Sequence, residues 1–493
     1  MVINLRYICI AENVVKFLED IVLLAVDYAR RIGAEYAEAR YHKISSEELF
    51  SRNGDILGVG KGFEEGIGIR VIVNGALGFT SINKLDRDSI IGAVEKIVYQ
   101  TRALSRCMKE KIVFSEARVG RSKYSVVAKK PFHTVSFDDK VKLHRELWSI
   151  VSRAKIESKI SVFILRYSES IEEKIVVNSD GAFIHSITPR LSVMYNIVIN
   201  HPEKGTMQKW EQLGASGGLE WLDDWRIHER VDEIATSMDN VLVKGKSPPR
   251  ETIDVVVGSE IVGLIVHESC GHPSEADRIL GREAAQAGKS FIKKGMIGER
   301  IGSEYATVID DPTIPGSYGF YLYDDEGVPA KPRYLYRNGL INEHLHNRWT
   351  AYVYGVESNA SARAMDYRSE PIVRMANTYF KPGDYSFDEL LEDVKLGIYM
   401  KSFMEWNIDD ERWSQRYVGL EAYLIEKGEL KEPVKYPVLE ITTKSFYSNV
   451  DAADKDLKFY AGTCGKGEPM QGVPVWMGGP NVRLRNIRIG VVE

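Results

Sequence analysis

Long apolar runs, cysteines and clustered basic residues are all scarce in this sequence. No apolar stretch approaches the ~20 residues of a membrane-spanning helix, and Ile8–Ala11 is too short for the core of a signal peptide. The four cysteines, Cys9, Cys107, Cys270 and Cys464, lack the spacing of a disulfide framework, which fits a reducing compartment. The 65 basic and 70 acidic residues give a net charge of −5, with no basic run among aromatic residues. We therefore expect a cytoplasmic protein that binds neither a membrane nor nucleic acid.

Histidine is also scarce, yet two of the ten histidines in 493 residues stand close together beside a glutamate. His267, Glu268 and His272 form a His-Glu-x-x-x-His pattern. Two neutral imidazoles can bind a borderline metal such as zinc, and the carboxylate can take a proton from a water on that metal. A lone buried histidine is usually structural, whereas two ligands with a base favour a metal site.

The spacing of the two histidines requires the helix to end or distort between them. The familiar zinc-peptidase pattern places its histidines four residues apart on one helix face. A residue at i+5 lies roughly 140° round a regular helix, too far for both rings to reach one ion. Gly271 suits a helix C-terminus, and Pro273 biases His272 away from helical geometry. We therefore predict a helix over residues 260–270 that carries His267 and its neighbouring glutamate, with His272 on the exit turn.

A catalytic zinc usually has three protein ligands and an open position, so a third ligand is needed. Cys270 is three residues after His267 and lies on nearly the same helix face. Cys464 lies in the glycine-flanked loop 461–467, which can bring a thiolate close to a metal at little steric cost. Burial as a small apolar side chain is the commonest role of a free cysteine, and it applies to both. The residues alone leave the choice open.

Acidic residues near these motifs offer secondary candidates. Glu275 and Asp277 follow the histidine motif closely, and either could orient a ligand imidazole, although a surface position is the more common fate of a carboxylate. Asp324–Glu326 precedes Gly327 and is predicted to form an exposed acidic turn rather than a contact to the metal site.

The pattern of elements predicts an α+β protein with mainly antiparallel sheets. Asn-Gly pairs at 53–54, 74–75 and 338–339 indicate tight hairpins, and helices and hairpins mix without a regular βαβ rhythm. The polar, helix-breaking segment 244–249 is a predicted domain boundary. We expect an N-terminal mixed α/β domain over residues 1–245. A largely antiparallel-β catalytic domain with the metal-binding helix follows over residues 246–493.

At these residues the chain resembles the TldD/PmbA family of metallopeptidases, and in particular its TldD branch. The resemblance covers nearly the whole chain. It rests on these segments: 33–38, 66–71, 264–268, 271–272, 274–277, 323–327, 374–378 and 464–466.

The resemblance implies that His267, His272 and Cys464 are the zinc ligands and that Glu268 is the general base. It also implies a cleft that binds short or unfolded peptides as a strand, and a dimer, either a homodimer or a heterodimer with a PmbA/TldE-like subunit. The PmbA branch looks similar but lacks the histidine motif, so this chain resembles the active type.

Two functions are therefore in competition. The first is a zinc-dependent peptidase in which Glu268 activates the metal-bound water. The second is a non-catalytic peptide-binding or assembly subunit with a structural zinc, which predicts a fourth protein ligand closing the site. The presence of Glu268 beside His267 favours the peptidase, and no substrate-binding residue is assigned. A His₂Cys set also suits other late transition metals.

Overall fold

The computed structural model describes residues 5–285 and 287–491, with side chains from residue 15 onward. Residues 1–4 and 492–493, at the ends of the two predicted domains, lie outside the described residues. The side chain of Cys9 also lies outside the described part. Ten α-helices are formed in this part of the chain: α1 Leu5–Arg31, α2 Arg87–Leu104, α3 Phe137–Ser152, α4 Glu220–Asp224, α5 Ile227–Lys244, α6 Ser259–Val266, α7 Ala276–Ile279, α8 Arg348–Tyr354, α9 Phe387–Leu391 and α10 Thr443–Asn449.

The strands of the described residues fall into two groups along the chain. The first group is β1 Tyr36–Arg52, β2 Asp55–Val73, β3 Ala76–Ile82, β4 Arg121–Ser125, β5 Lys159–Asn178, β6 Phe183–His201 and β7 Gly205–Ser216. The second group is β8 Thr252–Val257, β9 Val308–Asp310, β10 Arg333–Arg337, β11 Leu340–Ile341, β12 Ala362–Arg363, β13 Ile372–Val373, β14 Asn377–Phe380, β15 Leu396–Met400, β16 Phe403–Ile408, β17 Ser414–Gly419, β18 Ala422–Glu426, β19 Glu429–Pro433, β20 Pro437–Thr442, β21 Val450–Ala453, β22 Lys458–Lys466, β23 Gln471–Gly479 and β24 Val482–Val491.

The first group of strands forms one long sheet in the order β3-β2-β1-β5-β6-β4, with β7 also paired to β6. Only the short pairing of β4 with β6 is parallel. One apolar core joins α1 and α2 to one end of this sheet, and a second joins α3 and α5 to the other. Each helix contributes one apolar stripe, as expected for helices that cover a sheet.

The second group of strands builds two further extended sheets and the short β12–β13 pair. One has the order β11-β10-β9-β14-β23-β22, and the other has the order β16-β17-β20-β24-β8-β15-β18-β19 with β21 on β24. Helix α6 leaves β8 and packs on β23, β14 and β22. Its six core-facing residues, Ile261–Val266, are buried on every side, as expected for a helix that is apolar all round.

Much of this architecture agrees with the sequence predictions. The chain is α+β with mainly antiparallel sheets, which confirms the predicted class. At each of the three Asn-Gly pairs both residues have positive φ, for example 51° at Asn53 and 80° at Gly54. That geometry defines the type I′ hairpin turn. The domain boundary at residues 245 and 246 falls between α5 and β8 and stays a prediction.

The expectation of an exposed acidic turn at Asp324–Glu326 is wrong, because all three side chains are buried between the N-terminal sheet and the second half of the chain. Arg70 of β2 donates to Glu326 over 2.8 Å, and Lys174 of β5 donates to Asp325 over 2.9 Å. Burial of a carboxylate is tolerated when a cation and hydrogen bonds satisfy it. These residues join the two halves of the chain rather than lining the metal site.

None of the helices in the described ranges is both long and apolar enough to span a membrane.

Candidate metal centre and its cleft

The two histidines of the motif are separated by a distorted turn of helix. Helix α6 ends at Val266 and continues as a π-helical turn over His267–Gly271, followed by a 3₁₀ turn over His272–Ser274. The backbone N–H of His272 donates to the carbonyl of His267, which is the i to i+5 bond of a π-turn. The predicted distortion is confirmed. The regular helix ends at Val266, and the last residues of the helix predicted to reach residue 270 form this wider turn. The π-turn brings the i and i+5 imidazoles to a centroid separation of 4.9 Å.

The third member of the cluster comes from the other end of the chain. Strand β22 places Cys464 against the π-turn, with its Sγ 3.5 Å from Nε2 of His272. One ligand atom from each of His267, His272 and Cys464 lies within 4.8 Å of the others, and all three side chains are buried. The structure therefore brings together the three residues that the family resemblance implied as zinc ligands.

The electrostatics of the cluster suit a metal that prefers a thiolate. Burial alone would raise the pKa of the Cys464 thiol, but the nearby His272 and the Arg374 guanidinium outweigh it and hold the pKa well below its usual range. Metals bind the thiolate rather than the thiol. In addition, Nδ1 of His267 is buried with no hydrogen-bond partner among the described residues. Two imidazoles, one of which has an unpartnered ring nitrogen, and one thiolate fit a zinc ion.

A buried charge network holds His272 from behind. Nδ1 of His272 lies 3.1 Å from Oε2 of Glu275, so this nitrogen carries the proton and Nε2 faces Cys464. Glu275 is also 3.1 Å from Nε of Arg278 and 3.3 Å from Nζ of Lys466. A carboxylate on the far nitrogen fixes the tautomer and orientation of a ligand histidine.

The two acidic candidates after the motif therefore have different positions. Glu275 contacts the imidazole of His272, whereas Asp277 contacts Lys466, with its carboxylate 2.7 Å from Nζ. Lys466 follows Cys464 by two residues on β22, so the strand that carries the thiolate also carries the cation of the network. The expectation that a surface position was more common is wrong for both carboxylates, because both are at least nine-tenths buried.

Cys270 belongs to a different environment. Its side chain is fully buried in the main apolar core of the second half of the chain. Burial raises the pKa of the Cys270 thiol well above its usual value. A thiol that stays protonated is a poor metal ligand. Among the side chains that the structure describes, the potential metal-binding group contains Cys464 and not Cys270.

Glu268 faces an arginine that the sequence patterns do not reveal. Its carboxylate oxygen Oε2 accepts a hydrogen bond from Nη1 of Arg412, and both side chains are about nine-tenths buried. The two residues are 144 positions apart, and no motif links them. The only signal near Arg412 is the acidic, turn-forming segment that precedes it, which is common at hairpin tips.

The cluster lies at the base of a cleft of about 430 Å³ between the two halves of the chain. Helix α6 and the π-turn after it contribute Leu264, His267 and Glu268 to the lining. Four strands form the walls: β7 with Trp210 and Gln212, β16 with Phe403 and Trp406, β22 with residues 460–465, and β23 with Val475 and Met477. Both β16 and β22 are terminal strands of their sheets. The cleft therefore combines a candidate metal site with strand edges whose backbone groups can pair with an extended ligand.

Comparison with known proteins gives one consistent family. The profile of PmbA/TldA metallopeptidase domain 1 matches residues 37–100, that of the central domain matches 130–239, and that of the C-terminal domain matches 250–491. These three matches together cover most of the chain.

Individual relatives and solved structures agree with the profiles. The chain is 32% identical to "Metalloprotease MJ0996" of Methanocaldococcus jannaschii, over 91% of this chain and 96% of that protein. It is 27% identical to "Zinc metalloprotease TldD homolog" of Saccharolobus solfataricus, over 94% of this chain and 98% of that protein. The fold is similar to the crystal structure of TldE from Thermococcus kodakarensis, with a TM-score of 0.75, 17% identity, and coverage of 96% of this chain and 100% of that one.

Proposed function

Because this chain belongs to the PmbA/TldA metallopeptidase family, we propose that it is a zinc-dependent peptidase that hydrolyses peptide bonds in short or unfolded peptides. One observation carries the proposal. Ligand atoms of His267, His272 and Cys464 lie within 4.8 Å of one another beside Glu268, at the base of an open cleft. Two or three ligands with an adjacent carboxylate are the parts that metal-assisted hydrolysis requires.

In this proposal His267, His272 and Cys464 hold the zinc. When bound, zinc acts as a Lewis acid that makes a water more acidic and polarises the scissile carbonyl. Glu275 keeps the proton of His272 on Nδ1, so that Nε2 presents its lone pair towards Cys464. Arg374 donates to the carbonyl oxygen of Cys464, which fixes the backbone of β22 at the thiolate.

Glu268 is proposed as the general base. It follows His267 directly and lines the same cleft as the three candidate ligands. Oε2 is held by Arg412, which leaves Oε1 as the oxygen that accepts the proton of the attacking water. The same carboxylate then delivers that proton to the nitrogen of the leaving amine. This assignment requires no other acid in the cleft.

The walls of the cleft support a peptide bound in extended form. Strand β22 pairs with β23 along one edge, and β16 pairs with β17 along one edge. The other edge of each strand pairs with no further strand in the described part of the chain, and residues of both strands line the cleft. A peptide that adds to such an edge is held by main-chain hydrogen bonds, which tolerate many side chains. Broad acceptance of short or unfolded peptides follows from this mode of binding.

The alternative, a non-catalytic subunit with a structural zinc, requires a fourth protein ligand. Among the side chains described, the candidate group has three members. Cys270, the nearest extra thiol, is not a member of this group, and burial raises the pKa of its thiol well above the usual value. A three-residue group leaves one position of a tetrahedral metal for substrate or water, which favours the peptidase.

We further propose that the chain pairs as a homodimer or with a TldE-like subunit. The support is its fold, which is shared with the protein titled TldE. Light scattering of the purified chain, alone and mixed with a TldE-like subunit from the same organism, tests this. A monomer under both conditions would contradict it.

The peptidase proposal is tested by metal content and hydrolysis in three proteins: wild type, Cys464→Ser and Cys270→Ser. We expect about one zinc per chain and chelator-sensitive peptide hydrolysis in wild type, because a catalytic site holds one ion. Cys464→Ser should lose zinc and activity, whereas Cys270→Ser should keep both. Loss of zinc only in Cys270→Ser would contradict the ligand set, and hydrolysis that survives complete removal of metal would contradict the function.

A further inference from the structure

Arg412 lies at the tip of the hairpin formed by β16 and β17, a hairpin that also supplies Phe403 and Trp406 to the wall of the cleft. Its guanidinium turns inward and donates through Nη1 to Glu268 and through Nη2 to the carbonyl of Ala287, 3.2 Å away. Only 9% of the residue is exposed. An arginine at a hairpin tip normally extends into solvent, so this burial needs an explanation.

The backbone at Arg412 is strained in a way that aims the side chain at the site. Its φ is 66°, in the left-handed region that bulky residues rarely adopt. Asparagine or glycine would relieve this strain, yet the position holds an arginine. Strain that persists is maintained by surrounding contacts and is frequent at functional sites.

The contacts that hold this conformation are numerous. Asp409 closes the tip by accepting from the backbone N–H groups of Trp413 over 2.9 Å and Ser414 over 2.8 Å. The carbonyl of Arg412 accepts from Oγ1 of Thr443 over 2.8 Å. The ring of Trp413 packs edge-on against Phe291 with centroids 5.1 Å apart. Specific contacts therefore hold the tip of the hairpin in the conformation that directs the Arg412 guanidinium towards the Glu268 carboxylate.

We propose that Arg412 is a positioning residue for peptide hydrolysis, which holds the Glu268 carboxylate through Oε2 and so leaves Oε1 aimed at the attacking water. This inference rests on the proposed function of Glu268 as the base. An arginine N–H to a carboxylate oxygen is a strong, directional contact.

The role of a carboxylate in general base catalysis depends on its orientation. A base must lie within hydrogen-bond reach of the proton it abstracts, and small displacements cost large factors in rate. Without Arg412 the Glu268 side chain is free to rotate about its own bonds, because Arg412 is its one charged partner among the described residues. The effect should fall on the catalytic step, while the edges that bind the peptide stay in place.

The test uses the full-length zinc-loaded protein with Arg412→Asn, Arg412→Lys and the control Arg416→Ala. Asparagine removes the guanidinium but accepts the left-handed backbone, so the turn is preserved. Arg416 lies on the same hairpin, in half-exposed pairs with Glu405 and Glu440. We expect Arg412→Asn to lower kcat about 10- to 100-fold, the range for outer partners of a metal site. KM and zinc content should stay at wild-type values, and Arg416→Ala should behave as wild type.

Three further measurements distinguish a positioning role from a structural one. Guanidinium ion, added at concentrations far below those that unfold proteins, should restore part of the kcat of Arg412→Asn and nothing in Arg416→Ala. Arg412→Lys should keep an intermediate kcat, because lysine retains the charge but loses the planar fork. In metal-free protein, Arg412→Asn should lower the melting temperature when Glu268 is present, and by much less in combination with Glu268→Gln.

Different experimental outcomes would contradict different parts of this proposal. An Arg412→Asn protein with unchanged kcat, or with kcat higher than wild type, would overturn the positioning role, and the second result would make the contact an inhibitory one. An equal loss in Arg416→Ala would reduce the effect to general disturbance of the hairpin. If Glu268→Gln itself retained full turnover, the proposed base would be wrong, whatever the arginine variants do.

Discussion

Replacing Lys466 by methionine should weaken both the stability of the protein and its affinity for zinc. The Lys466 side chain is 1% exposed and lies between two buried carboxylates, 2.7 Å from Asp277 and 3.3 Å from Glu275. Burial alone would raise the pKa of Glu275, but the charges of Lys466 and His272 outweigh it and hold the pKa well below its ordinary value. The cation therefore helps to keep Glu275 ionised beside His272.

The magnitude follows from what the substitution leaves behind. At an effective dielectric constant of ~20, each Lys466 contact has a gross attraction of about 5–6 kcal/mol, most of it offset by desolvation. Removing one partner of a buried pair costs about 3–5 kcal/mol, because the remaining charge is uncompensated. Arg278 still contacts Glu275, so we expect the lower end, about 3 kcal/mol. Zinc affinity should fall about 10- to 100-fold, as for other groups that orient a ligand histidine.

The assay is urea unfolding of the metal-free protein together with zinc competition against a chromogenic chelator. Lys401→Met is the matched control, since Lys401 pairs with Glu421 over 2.8 Å but is 52% exposed. An exposed pair contributes less than about 1 kcal/mol. If Lys466→Met were as stable as Lys401→Met and bound zinc with wild-type affinity, the reasoning about this network would be refuted.

Two other substitutions test separate features. Burial lowers the pKa of His344 from 6.5 to about 4, so the unfolded chain takes up its proton first and stability falls as the pH drops from about 6.5 towards 4. Between pH 7 and pH 5 His344→Leu should lose about 2 kcal/mol less stability than wild type, measured by urea unfolding at both pH values. An equal loss of stability in His344→Leu and in wild type would contradict this prediction. Gly263 of α6 approaches the backbone of Gly478 so closely that a Cβ would lie 2.9 Å from its nitrogen. Gly263→Ala should therefore cost about 1–3 kcal/mol in thermal unfolding and reduce zinc content, whereas Gly92→Ala, where a Cβ meets no atom within 4 Å, should not.

The parts of the site that the sequence predicted are those fixed by local spacing. The i and i+5 histidines could not share a regular helix, and the π-turn at His267–Gly271 meets that demand. Local turn chemistry was equally informative at Asn53-Gly54, where both residues have the positive φ of the predicted hairpin turn. In each case neighbouring residues determine the geometry.

The parts that the sequence did not predict depend on contacts between distant segments. Arg412 and Glu268 meet only because the tip of the β16–β17 hairpin folds over α6. Asp324–Glu326 has the composition of an exposed turn, and its burial depends on Arg70 and Lys174 from the N-terminal sheet. Such pairings follow from tertiary structure, which no local pattern encodes.

The same limit applies to the third ligand. Local geometry allowed both Cys270 and Cys464, and the family resemblance selected the second. The structure places Cys464 within reach of both histidines and Cys270 in the apolar core, which supports that choice. The assignment of the three residues as zinc ligands stays a prediction until the metal is measured.

The most direct measurement of the central claim is zinc content and peptide turnover in Glu268→Gln, determined on the same preparation as wild type. Glutamine preserves the size of the side chain and removes its ability to accept a proton as a base. The account predicts wild-type zinc content, loss of turnover by at least about 100-fold, and a lower melting temperature because the buried Arg412 loses its charged partner. Full turnover with zinc bound would contradict Glu268 as the base and, with it, the proposed mechanism.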